Sequence, residues 1–107
     1  MGENTALTES TYYILLSLIT PQHGYGIMQR VDTMSGGRVN LAAGTLYGAL
    51  TSMCDKKWIT LLANQDGSRK KEYAITELGM RVLKSEIERL RELVNNGDAI
   101  MGGNNYE

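Results

Sequence analysis

Two β-forming runs joined by Asn64-Gln65-Asp66-Gly67-Ser68 constrain this chain more than any other feature. Asp-Gly between strand-like runs is a strong short-range hairpin signal, because glycine adopts the positive φ of a tight turn without strain. The runs cover residues 58–63 (Trp58-Ile59-Thr60-Leu61-Leu62-Ala63) and 69–75. Everything around this single hairpin reads as helix. A helix opens at Thr8, a residue type that caps helix N-termini. It runs through Tyr12, Leu15, Leu16 and Ile19, and Pro21 prevents it from continuing past residue 20. A second helix spans about residues 25–34, with Ile27, Met28, Val31 and Met34 on one side, until Gly36-Gly37 stops it. Residues 38–41 alternate and are compatible with a strand of one or two pairs. A third helix covers residues 43–57. A last one starts at Thr76-Glu77 and reaches about residue 95, roughly 30 Å at 1.5 Å per residue.

Three helices, a hairpin and a long helix is the order of a winged helix-turn-helix, in which the third helix enters the DNA major groove and the hairpin forms the wing. The expected class is mainly α (α+β), with a winged-helix domain over residues 8–75. A C-terminal dimerisation helix over 76–96 and a disordered tail over 97–107 complete the expected organisation.

Charge narrows the partners. The net charge is −1, from 11 basic and 12 acidic side chains, which by itself argues against nucleic acid. The distribution says otherwise: residues 1–20 carry −2, residues 21–84 carry +4, and residues 85–107 carry −3. Local sign, not the total, governs association. The longest apolar run, residues 12–16, is far short of the roughly 18 residues of a spanning helix. With no basic leader and no cleavage-type site, a cytoplasmic location without membrane attachment is expected. Cys54 is the single cysteine, so a disulfide framework and an all-cysteine metal site are excluded; no cofactor or metal is expected.

The third helix separates into two faces. Leu46, Ala49, Leu50 and Met53 cluster on one side and face the core. Opposite lie Gly44, Gly48, Thr51 and Asp55, flanked by Thr45, Tyr47 and Ser52. A glycine inside an exposed helix costs about 1 kcal/mol against alanine. Close approach to a groove would repay that, with the hydroxyls of Thr45, Tyr47, Thr51 and Ser52 reaching phosphates or base edges; incidental small surface residues are the plainer alternative. The wing carries Arg69, Lys70 and Lys71, suited to phosphate or minor-groove contact. On the last helix Leu83, Ile87, Leu90 and Val94 are spaced 4, 3 and 4, a short heptad-like seam that fits a second copy better than a small monomer core. His23 is the only histidine, and no acid, base and nucleophile set can be assembled, so an enzyme is not expected. Cys54 and Trp58 read as packed hydrophobes.

Three motifs in order carry a resemblance to a known family: His23-Gly24-Tyr25-Gly26-Ile27, then Gly44-Thr45-Leu46-Tyr47 with Ala49-Leu50, then Gly67-Ser68-Arg69-Lys70-Lys71-Glu72-Tyr73-Ala74-Ile75-Thr76-Glu77-Leu78-Gly79. Over residues 8–95 the chain resembles the PadR family of bacterial transcriptional regulators, in its short branch with a single C-terminal helix. The resemblance implies a homodimeric repressor on palindromic, double-stranded operator DNA, released by a small hydrophobic or aromatic effector. It places Gly44, Thr45 and Tyr47 in the recognition helix and Arg69 and Lys70 in the wing. It places Tyr12 and Tyr13 of the first helix, with Val82, Glu86, Leu90 and Val94 of the last, around an effector pore between subunits. The chain departs from the family pattern at Ala42-Ala43, where Ser-Pro is usual, and at Gly48, where Pro is usual. Leu90 stands where a multidrug-sensing relative has a drug-stacking tryptophan. The other reading the residues allow is a winged-helix protein-interaction module without DNA binding.

Overall fold

The computed structural model describes residues 6–63 and 71–102. Its elements follow in the order α1 (Glu9–Ser17), β1 (Gln22–His23), α2 (Gly24–Met34), α3 (Ala43–Asp55), β2 (Ile59–Leu62), β3 (Glu72–Ile75) and α4 (Glu77–Met101). The three strands form one antiparallel sheet in the order β1-β3-β2. This is the winged-helix arrangement read from the sequence: helices first, the hairpin after α3, the long helix last. Asn64 to Ser68, with Arg69 and Lys70, lie outside the described residues, so the proposed turn and two of the three wing cations have no structural account.

Local chemistry explains the boundaries. The Thr8 hydroxyl accepts the N–H of Thr11 and caps α1, and the Thr76 hydroxyl accepts the N–H of Gly79 and caps α4. The Thr76 hydroxyl also donates to the carbonyls of Lys57 and Trp58, tying α4 to the start of β2. Gly79 is required there, because a Cβ would overlap the Trp58 carbonyl and the Ile75 side chain. The end of α1 is pinned by Arg30, whose Nη1 donates to the carbonyls of Ser17 at 2.6 Å and Thr20 at 3.0 Å.

The core is a single cluster. Ile14 and Leu15 from α1 and Leu18 at its C-cap meet Ile27 and Val31 from α2, Leu46, Leu50 and Met53 from α3, Ile59 and Tyr73 from the sheet, and Val82 and Leu83 from α4. Trp58 is also buried, and the Lys56 ammonium sits 4.7 Å from its ring centroid.

Four expectations are corrected. Residues 38–41 form no strand; the third strand is β1, which uses the free edge of β3. Ile14 and Leu15 of α1 and Leu18 at its C-cap face inward while Ile19, expected on the helix, lies beyond its end and is exposed, because an almost wholly apolar segment carries no readable phase. The last helix continues through Asn95-Asn96-Gly97 to Met101, so the boundary placed at residue 97 is wrong; Gly102, with φ 89°, supplies the left-handed cap. At 25 residues α4 is about 38 Å long. Finally Leu83, assigned to the intersubunit seam, is buried in the chain's own core.

Candidate nucleic-acid interface

Leu46, Leu50 and Met53 fix the rotation of α3, and that rotation puts Gly44, Thr45, Tyr47, Gly48, Thr51 and Ser52 on the outside, all exposed. A Cβ on Gly44 or Gly48 would meet nothing within 4 Å, so among the described residues no contact requires either glycine. Ala42 provides no side-chain cap to α3, which leaves the N–H groups of the first turn open to an outside acceptor. The Thr51 hydroxyl donates to the Tyr47 carbonyl at 2.9 Å; its proton is spent on the helix, and it faces outward as an acceptor. Thr45, Tyr47 and Ser52 are the hydroxyls left to donate.

The strands β2 and β3 lie against α3. Burial pushes the Tyr73 phenol of β3 above its ordinary pKa, with further upward effects from Cys54 and Tyr47 of α3. Lys71 precedes β3 and is exposed. Burial, then Asp55, likewise pushes the Cys54 thiol up, as suits a packed side chain and not a reactive thiolate. Sequence reasoning left His23 without a role. Its Nδ1 accepts the N–H of Gly26 at 3.4 Å and caps α2.

The proposed effector residues divide. Tyr12, Leu90 and Val94 line a shallow groove of about 230 Å³ together with Ile87, Arg91 and Asn95. Tyr13 stands edge-on to Tyr12, ring centroids 5.8 Å apart, and is not part of the groove lining. Val82 and Glu86 are withdrawn into the chain, so they do not line it either; the first turns of α4 are consumed by the core before the helix leaves the domain. Glu86, only 4% exposed, accepts from Arg89 Nε at 2.8 Å and Nη2 at 2.7 Å, and from the Leu7 N–H at 3.2 Å. The hydrogen bonds from Arg89 lead in holding its carboxyl below the usual carboxylate range; burial opposes them, while the Leu7 N–H and the Arg89 charge assist.

A folded-state pKa below the unfolded value, about 4.3 for Glu, contributes stability above that value and loses it as pH falls through the folded one. Glu86→Gln is therefore expected to be less stable than the parent at pH 7, with the gap narrowing below about pH 4. Urea midpoints at both pH values measure this, and a gap that ignores pH counts against it.

The exposed helix α3, the adjacent sheet and the protruding α4 together define a winged-helix transcriptional regulator. The model of the PadR-like family of transcriptional regulators matches residues 14–85, and the chain belongs to that family. No curated protein sequence matches the chain. Among solved structures it is similar to a PadR family transcription regulator from Clostridium difficile, at 21% identity and TM-score 0.68 over 85% of this chain and 97% of that one. It is similar to a PadR family regulator from Eggerthella lenta, at 23% identity and TM-score 0.65 over 89% and 82%. It is also similar to Bacillus subtilis PadR, solved in complex with operator DNA, at 25% identity and TM-score 0.62 over 72% of this chain and 45% of that one. These are regulators, not enzymes. Among the described residues no helix is long and apolar enough to cross a membrane.

Proposed function

We propose that the chain represses transcription as a homodimer, placing α3 of each copy in successive major grooves of a palindromic operator, and that a small hydrophobic or aromatic effector releases it. The observation that carries this reading is the outer face of α3. It keeps two helix-weakening glycines, Gly44 and Gly48, where none of the described residues needs either, and surrounds them with hydroxyls. A surface that accepts a closely approaching partner backbone accounts for both. The complex of Bacillus subtilis PadR with operator DNA supports DNA as that partner. In this reading Arg69, Lys70 and Lys71 hold phosphates beside the groove. The effector would enter between the groove at Tyr12, Leu90 and Val94 and its counterpart in the second copy, and would act by binding one dimer arrangement more tightly than the other.

The test is the salt dependence of duplex binding. Each phosphate contact releases counterions, so log K falls with log salt by about 0.9 per contact. Replacing Arg69 and Lys70 by Ala is expected to weaken binding on every sequence and to flatten that slope by roughly 1.8 per protomer. An unchanged slope would leave the wing as solvated surface. A parent chain showing no salt-dependent DNA binding would favour a protein-interaction module.

A further inference from the structure

A second groove lies between the end of α1 and the outer side of α2. It is open and measures about 620 Å³, within the usual range of small-molecule sites. It shares no residue with α3 or with the groove at Tyr12, Leu90 and Val94. Its apolar walls are aliphatic: Leu16, Ile19 and Met34, the last two exposed. Among the described residues that line it, Arg30 alone is charged. The chain holds this guanidinium in place before any ligand arrives, because Nη1 donates to the carbonyls of Ser17 at 2.6 Å and Thr20 at 3.0 Å. Those acceptors stand where a helix end leaves its carbonyls unsatisfied. A guanidinium carries five N–H donors in one plane. With Nη1 spent, the Nε and Nη2 N–H groups remain, and they have no partner among the described residues. That edge of the fork matches the two oxygens of a carboxylate.

We infer that this groove binds an aliphatic monocarboxylate, its carboxylate held by Arg30 and its chain lying along Leu16, Ile19 and Met34. The chemical class follows from the lining. Among the described residues, no acidic side chain lines the groove to repel an anion, and no aromatic ring lines it to stack a planar one. A cation would meet Arg30, and a bare inorganic anion would leave the apolar walls wet. Met34 is unbranched and flexible, so it adapts to the chain laid against it. Charge and chain act together here, since an exposed ion pair alone contributes little.

The experiment titrates octanoate, butyrate and octanol separately into the isotope-labelled full chain and follows backbone amide shifts, with octanoate kept below micelle-forming concentrations. Octanoate is expected to move the amides of Ile19, Arg30 and Met34. It should bind roughly tenfold or more tightly than butyrate, because each added methylene in contact is worth up to about fourfold. It should also bind about tenfold more tightly than octanol, the scale of hydrogen bonds to a charged group. Gln29 lines the groove and is exposed, so its charge can be varied without touching the core. Gln29→Glu is expected to weaken octanoate about threefold and Gln29→Lys to tighten it about threefold, with octanol unmoved by either. Arg30→Gln should erase the preference for octanoate over octanol. It also frees the end of α1, so its thermal midpoint is measured alongside, and the opposed effects at Gln29 do not depend on it. Equal affinity for octanoate and octanol, no charge effect at Gln29, or shifts confined to Leu90 and Val94 would each overturn the site. Groove amides that move with protein concentration and not with octanoate would make it a contact between copies, and overturn it too.

Discussion

A chain carrying both Ile87→Glu and Leu90→Glu is expected to scatter light as an 11.8 kDa monomer and to lose duplex binding by roughly 10²- to 10⁴-fold, the advantage of engaging two linked sites at once. The reason lies in how α4 divides its apolar residues. Val82 and Leu83 are buried in the chain's own core. Past them the helix leaves the domain, and the chain as a whole is 56 Å along its longest axis against 31 and 21 Å on the others. Ile87 and Leu90 are half-buried beside Tyr12, while Leu93, Val94, Ile100 and Met101 are 53–86% exposed. Ile87, Leu90, Val94, Gly97 and Met101 fall at spacings of 3, 4, 3 and 4, so the seam runs to the end of the helix. Contiguous apolar surface of this kind marks an interaction site, and two glutamates at its centre would have to be buried unpaired for a dimer to form. Neither residue is in the buried core, so circular dichroism should stay that of the parent. A double variant that remains dimeric would show that α4 is not the interface.

The order of elements was readable because each boundary has its own chemistry: Thr8 and Thr76 as caps, Pro21 as a stop, Asp66-Gly67 between two β-forming runs. The inward face of α3 was equally plain, since Leu46, Leu50 and Met53 alternate with small and polar residues. What escaped the sequence had no local signal. A strand of two residues, Gln22–His23, has no period to detect, and it exists because β3 offers an unpaired edge. Asn95-Asn96-Gly97 resembles a helix end, yet the helix formers Ala99, Ile100 and Met101 carry α4 on to Gly102. Leu83 and Leu90 lie on one stripe, and nothing in the stripe says where the domain core ends and free surface begins. That division decides why Val82 and Glu86 do not line the groove that Leu90 and Val94 share with Tyr12. Glu86 shows the limit most plainly: its buried carboxylate accepts the N–H of Leu7, 79 residues earlier in the chain.

Replacing Gly44 and Gly48 by alanine is expected to stabilise the protein while damaging its binding to DNA. Both sit in regular helix, neither has a positive φ, and a methyl group at either meets open space. Alanine at Gly48 should therefore add about 1 kcal/mol of stability. Gly44, in the first turn, should add less, because part of its backbone lies at the frayed end. Equilibrium unfolding in urea reads that gain as a higher midpoint at unchanged slope. Binding should move the other way. If the backbone of α3 lies against the groove, an added methyl overpacks that contact by about 1–3 kcal/mol, a loss of tenfold or more in affinity for the larger part of that range. Neither substitution changes a charge, so the salt slope of the residual binding should match the parent. The opposed signs carry the argument. A surface glycine without a role yields a more stable protein that binds equally well, and that outcome would remove the main observation behind the recognition face. Stability gained with affinity lost would mean that the chain gives up helix propensity at these two positions for the approach of the duplex.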